Sequence, residues 1–353
     1  MSAFKEHCFT PSEFARLAKI EKSKVNELIK KGELEITRKR VGNVDRKMVT
    51  LITAQNYFKN IRTSFDLGRH GDPVMEPVTS NNLTETESKE LVATATPFAP
   101  CSPNYKVQMF YNVKGGTGKS TLTAQYVMRA AMLGLKVLAI DLDGQGHLSV
   151  NLDILDAHER PTVYDILIND LNIKETIFSV APGLDIIPAS LGLCNIEIPL
   201  NLKPRREYRL SEAILQVKDD YDLIVADTNP AASILNSSML VAADLVNVVC
   251  ATNPLSFHGM SLVIATIEEM EREFQRDLAV KIIPNMYDNR EVISQEVLGE
   301  LKSQFTDFCT EAVVNRSADL NEATKRRATV WSVNTKGNAA NDIGKLTEEL
   351  LYQ

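Results

Sequence analysis

The chain is most constrained at Asn112 to Thr121, NVKGGTGKST. An apolar, β-branched run, VQMFYNV, leads into Gly115, Gly116 and Gly118, and the helix-forming stretch STLTAQYVMRAAMLG follows at once. The backbone must turn sharply from strand to helix there, and glycine permits that turn. Without Cβ atoms, the N–H groups of Gly115, Gly116, Thr117 and Gly118 can converge on phosphate oxygens, and the helix N-terminus adds partial positive charge. Lys119 is spaced to reach β- and γ-phosphates, and the Ser120 hydroxyl to ligate Mg²⁺, with Thr121 completing the nucleotide-binding set. One position departs from the pattern G-x-x-x-x-G-K-[ST]: Val113 stands where a glycine is expected, and a second cation, Lys114, lies beside it.

A loop of this kind needs a sheet behind it. The runs VQMFYNV, KVLAIDL, LDIIPA, DLIVAD, LVNVVCA and VKIIPN are each followed by a loop or helical segment, the pattern of a parallel sheet buried on both faces. They predict a doubly wound, mostly parallel α/β domain over residues 106–353. Residues 67–105 are rich in Pro, Ser, Thr and Asn without sustained periodicity and read as a linker. The 353 residues thus divide into one large and one small domain. The N-terminus has no apolar leader segment, and no run of 18 apolar residues occurs, so secretion and membrane spanning are not expected. Five scattered cysteines form no C-x-x-C pair, which predicts a reducing cytoplasm rather than a disulfide or zinc framework. The five histidines show no ligand spacing, and the single tryptophan, Trp331, is expected to be packed.

Phosphate chemistry requires carboxylates nearby, and two strand ends supply them. KVLAIDLDGQG carries Asp141 and Asp143, and DLIVADTNP ends in Asp227. Together KGGTGKS, DLDGQG, YDLIVADTNP and IIPNMYDNR resemble the deviant Walker A ATPases of the ParA/MinD group, and among them the ParA partition ATPases. In that family the position of Val113 is not glycine and the position of Lys114 is a signature lysine that crosses a nucleotide-bound homodimer to the partner subunit's phosphates. The resemblance implies ATP and Mg²⁺ as ligands. It makes Lys114, Lys119 and Asp143 the catalytic set, Asp143 positioning the attacking water, and puts Ser120, Asp141 and Asp227 around hydrated Mg²⁺. Pro284, Asn285 and Met286 match the adenine contacts. Gly144 replaces the usual proline of DxDPQG and Asn229 the first proline of DTPP, which puts the rate of hydrolysis in question.

The first 66 residues form a separate small helical module. Thr10 to Glu13 is a capping box with Pro11 at the first helical position, and a second helix bearing Val25, Leu28 and Ile29 stops at Gly32. Two short helices followed by EITRKRVGNVDRKMVTLI resemble a winged helix-turn-helix. Although the chain carries a formal charge of -7, this segment is locally basic, and Lys22, Lys24, Lys30, Arg38, Lys39 and Arg40 are its candidate DNA contacts. A small docking domain with a solvated basic face is the other reading. A second basic cluster, Arg316, Lys325, Arg326 and Arg327, matches the region of nonspecific DNA contact in ParA-like proteins, against a solvated helix end.

The resemblance therefore implies a cytoplasmic, nucleoid-associated partition ATPase. It would dimerise on ATP and be stimulated by a ParB-like centromere-binding protein, repressing its own operon through the N-terminal module; higher-order assembly on DNA is left open. A MinD-like membrane regulator would need a basic amphipathic C-terminal helix, whereas the tail carries Asp342, Glu348 and Glu349. A nucleotide-sensing repressor would not need Asp143.

Overall fold

The computed structural model describes residues 4, 7–41, 44–70 and 103–352, with the side chains of 40, 41, 44 and 62–70 outside the described set. The side chain of Arg40, a candidate DNA contact, and residues 71–102, most of the expected linker, therefore lie outside the described set. The N-terminal module opens with β1 (Cys8–Phe9), α1 (Pro11–Leu17), α2 (Lys22–Lys31), the hairpin strands β2 (Ile36–Val41) and β3 (Val44–Thr50), and α3 (Leu51–His70). The capping box is present: the Thr10 hydroxyl accepts from Glu13 N–H, and the Glu13 carboxylate accepts from Thr10 N–H. Gly32, at φ +79°, ends α2 in the left-handed conformation that suits a helix C-cap. Beside the helices, β1 joins β3 and β2 in a three-stranded antiparallel sheet. Helix α3 also continues four residues past the expected boundary at 66, since a lone glycine such as Gly68 does not by itself stop a helix.

The larger unit is a seven-stranded sheet. Its strands are β4 (Val107–Tyr111), β5 (Val137–Leu142), β6 (Phe178–Ala181), β7 (Leu184–Ile187), β8 (Leu223–Thr228), β9 (Leu245–Ala251) and β10 (Ala279–Asn285), in spatial order β10-β9-β4-β8-β5-β7-β6. Every ladder is parallel except β6 with β7. Strands β4, β5, β8 and β9 are buried along their whole length, as continuous apolar runs require when helices cover both faces. Helix α4 (Lys119–Met132) leaves the end of β4, and the chain returns to β5 on the far side of β8. The strands on the other side of β4 are reached later, so the sheet reverses direction at β4, where α/β folds open a crevice at their strand ends.

The two units share one apolar core. Phe9, Phe14, Leu51, Ala54 and Phe58 of the module pack in the same cluster as Ala130, Met132, Leu133 and Leu135 at the end of α4. Gln55 is buried there, its amide donating to the carbonyls of Ala131 (3.0 Å) and Pro182 (2.7 Å). Gly134, at φ +82°, brings its backbone against Gln55 and Phe58 so closely that a Cβ would lie 2.7 Å from the Gln55 carbonyl. The C-terminal helix α5 (Asn338–Tyr352) packs against α4. Among the described residues, no helix is long and apolar enough to cross a membrane.

Candidate functional site

The glycine loop spans the gap between β4 and α4. Gly116 and Gly118, at φ +75° and +88°, hold it in conformations that side-chain-bearing residues rarely adopt. Gly118 is also the closest approach in the site: a Cβ there would collide with Asn285 Nδ2 and come within 3.3 Å of Met286 Cε. Asn285 is not turned away toward a base. Its amide donates to the Thr117 carbonyl at 2.7 Å, clamping the loop to the end of β10. Met286 adopts a left-handed conformation, φ +57°, immediately after it.

Lys119 begins α4 with its side chain only 6% exposed, and its ammonium donates to the Lys114 carbonyl at 3.3 Å. Burial lowers its pKa, while Asp227 and Asp143 oppose that shift. The Lys114 N–H is tied to Asn112 Oδ1 at 2.9 Å, and its side chain is half-buried. Ser120 and Thr121 follow on the same partly exposed turn.

The carboxylates converge because β5 and β8 are neighbours in register, with Asp141 paired directly to Asp227. All three aspartates are buried. Their oxygens are used differently. Asp141 Oδ1 accepts the Asp143 N–H, and its Oδ2 accepts both the N–H and the hydroxyl of Ser149, at 2.8 and 2.7 Å. Asp227 Oδ1 accepts from Thr123, whereas Oδ2 is buried without a hydrogen-bond partner. Burial raises the pKa of both, and for Asp227 the neighbouring Asp141 raises it further. Asp143 is oriented by the Gln145 N–H on Oδ1 and His147 Nδ1 on Oδ2, each within about 3 Å. Of the two expected metal carboxylates, Asp227 alone has an open oxygen, and Asp141 instead fixes the backbone that carries Asp143. Ser149, Thr123 and His147 were not found from the sequence; Thr123 alone had a signal, one helical turn beyond Lys119.

Gly144 and Asn229, the two departures from the family pattern, each make a specific local contact. A Cβ on Gly144 would meet Cys194 Sγ at 2.6 Å and its backbone nitrogen at 2.9 Å, so a proline does not fit beneath the 191–195 turn. Asn229 accepts from the Asn236 amide through both its carbonyl and its Oδ1, at 3.1 and 2.9 Å, which ties the loop after β8 to the next helix. Beside Gly118 and Thr121 lies a cleft of about 290 Å³ whose further lining includes Asn285, Met286, Asn315 and Leu320. Arg316, expected on a DNA surface, also lines this cleft. Pro284 lies within β10 and is not among the cleft residues.

The other basic candidates are dispersed. Lys22 and Lys30 are exposed on α2, Lys24 pairs with Glu27, and Arg38 and Lys39 stand exposed on β2 opposite Lys47 and Arg46. On the helix Ala318–Arg326, Lys325 is exposed, Arg326 pairs with Glu322 at 2.6 Å, and Arg327 reaches Asp153 at 3.3 Å. The acidity of the tail is largely structural. Asp342 accepts from Asn315, and Glu349 from the N–H groups of Glu311 and Ala312, so both are buried caps rather than surface charge.

A family described as an AAA domain matches residues 105–280. The cell division protein PomZ of Myxococcus xanthus is 29% identical over 287 residues, 81% of this chain and 90% of PomZ. The chromosome partitioning protein ParA of Caulobacter vibrioides is 31% identical over 222 residues, 62% of this chain and 83% of that protein. Cobyrinic acid a,c-diamide synthase of Mycobacterium smegmatis, solved with a bound ATP analog and magnesium, is 26% identical with a TM-score of 0.56, covering 63% of this chain and 91% of that one. A glycine loop with Lys119 at its helix start, carboxylates from two adjacent strands, and relatives of this extent establish that the chain belongs to the ParA-type family of P-loop ATPases.

Proposed function

We propose that this chain is a Mg²⁺-dependent ATPase of DNA partition that dimerises on ATP, binds DNA nonspecifically and hydrolyses ATP when a ParB-like centromere-binding protein engages it. The observation that carries the reading is the unengaged, buried Asp227 Oδ2 beside a buried Lys119 at the mouth of the glycine loop. Of the buried carboxylates, Asp227 and Asp143 act on the Lys119 ammonium, and the open Asp227 oxygen suits a divalent cation held jointly with phosphate oxygens. Ser120 and Asp227 would hold Mg²⁺, which when bound neutralises charge on the β- and γ-phosphates. The loop N–H groups and Lys119 would grip those phosphates, and the cleft beside Gly118 would take the nucleoside. Asp143, already oriented from both oxygens, would position the attacking water. Lys114 would extend to the phosphates bound by a second copy.

In the same proposal the N-terminal module contacts operator DNA through α2 and the β2–β3 hairpin, with Lys22, Lys30, Arg38 and Lys39 its exposed cations, and represses its own operon. Nonspecific contact would use Lys325 and its neighbours. This assigns the protein to the cytoplasm, on the nucleoid. A second reading has one observation in its favour: PomZ, the relative spanning 81% of the chain, is a cell division protein, which fits a regulator of positioning. The test is ATP turnover measured alone, with DNA, and with DNA plus the protein encoded beside this one. Turnover that rises only with both supports partition; turnover indifferent to both contradicts it.

A further inference from the structure

A cleft of about 480 Å³ lies between the N-terminal module and the ATPase domain, at the opposite end of α4 from the glycine loop. Ten residues of helix, about 15 Å, separate Lys119 from Arg129 on its floor. Arg129 is 4% exposed and stacks over the Trp331 ring at 4.7 Å, yet its Nε and Nη1 have no hydrogen-bond partner. Buried guanidinium donors do not stay unpaired without cost, and burial lowers the pKa of this one only to about 10, so it is charged at neutral pH. Arg16 and Lys19 of α1 line one side, and Lys336 and Lys345 the other. The two carboxylates in the cleft are already engaged: Glu13 caps α1, and Glu348 pairs with Lys19 at 2.7 Å. Setting the Lys19–Glu348 pair aside, four cations, Arg16, Arg129, Lys336 and Lys345, therefore face the cavity against the single charge of Glu13.

We propose that this cleft is an anion-binding site for a small phosphate- or carboxylate-bearing molecule, with Arg129 as its floor and Arg16, Lys336 and Lys345 as its rim. The volume falls within the range of small-molecule pockets. Arg129 lies too deep to serve a duplex backbone, which exposed cations would meet first. Because the rim draws on α1 and α5 together, an anion here bridges the module to the ATPase domain and tightens their contact.

Trp331 is the chain's single tryptophan and lines this cleft, so all indole emission comes from a residue at the site. The full chain is titrated with inorganic phosphate and, separately, with citrate, at ionic strength held constant with chloride. The expected result is a saturable change in emission for at least one anion, preserved in Lys119→Ala and weakened about tenfold or more in Arg129→Gln. Should Arg129→Gln fail to fold, the exposed pair Lys336→Ala/Lys345→Ala is to weaken binding by a similar factor. The two anions distinguish phosphate from carboxylate as the preferred group. A response equal to that of chloride, one lost in Lys119→Ala, or one untouched by the cleft variants overturns the proposal. Displacement of the anion by duplex DNA with the same dependence on the variants overturns the small-molecule assignment.

Discussion

Gly118→Ala tests how the loop is held. At φ +88° an L-residue costs about 1–2 kcal/mol, because its Cβ crowds the following carbonyl. The new Cβ would also clash with Asn285 Nδ2, so that amide must swing away and give up its 2.7 Å bond to the Thr117 carbonyl. Losing that bond costs about 1–3 kcal/mol. The sum, about 2–5 kcal/mol, falls on the phosphate-gripping conformation, while β4 and α4 remain packed. Nucleotide affinity should drop between about 30-fold and about 4000-fold. Calorimetry with Mg-ADP reads the loss, and circular dichroism checks that the fold persists. In a double-mutant cycle, Asn285→Ala already lacks the amide, so adding Gly118→Ala should cost at least about 1 kcal/mol less than in the wild-type background. Wild-type affinity in Gly118→Ala, or strict additivity in the cycle, refutes the clamp.

Lys119→Ala should abolish ATP binding, whereas Lys114→Ala should retain nucleotide yet fail to dimerise on ATP, as read by calorimetry and sizing; an ATP-dependent Lys114→Ala dimer with normal turnover contradicts the role given to that lysine. Lys325→Ala/Arg326→Ala/Arg327→Ala should weaken binding to random DNA and flatten its salt dependence, each lost phosphate contact removing about 0.9 from the slope of log K against log salt. Because Arg326 and Arg327 are already paired with Glu322 and Asp153, the single change Lys325→Ala should account for much of that loss; an unchanged slope in the triple variant removes the surface. His7, its Nε2 buried without a partner, has its pKa lowered from 6.5 to about 4 chiefly by burial. The fold therefore favours neutral imidazole, and the stability this confers is present above pH 6.5 and lost as pH falls toward 4. Urea unfolding should show about 2 kcal/mol less stability at pH 5 than at pH 7, a difference that shrinks in His7→Phe; equal pH dependence in the variant counts against it.

What the sequence revealed tracks what local chemistry can encode. Six of the seven strands of the larger sheet stood out because they are apolar runs, four of them buried along their whole length. The seventh, FSVA at 178–181, is a half-exposed antiparallel edge of four residues, too short to show a period. The loop and its aspartates were legible because strand, glycines, Lys-Ser and helix must coincide for phosphate to bind. Their engagement was not: Asp141 is occupied by Ser149, Gly144 is dictated by Cys194, and Asn285 is drawn to Thr117, all through contacts that only the folded sheet creates. The same holds for the tail, where Asp342 and Glu349 look like surface acids in sequence but cap backbone N–H groups in the structure. The module's continuity with the core through Gln55 had no sequence signal, since one glutamine on a helix announces nothing about the carbonyls of Ala131 and Pro182.

In the proposed function, Asp143, oriented between Gln145 and His147, directs hydrolysis of ATP held by the glycine loop. The decisive measurement is phosphate release from saturating Mg-ATP, in the presence of DNA and a ParB-like centromere-binding protein, for wild type and Asp143→Ala. Turnover in the variant should fall about 100-fold or more with nucleotide affinity retained, because water positioning is removed and every phosphate contact is kept. Wild-type turnover in Asp143→Ala contradicts it.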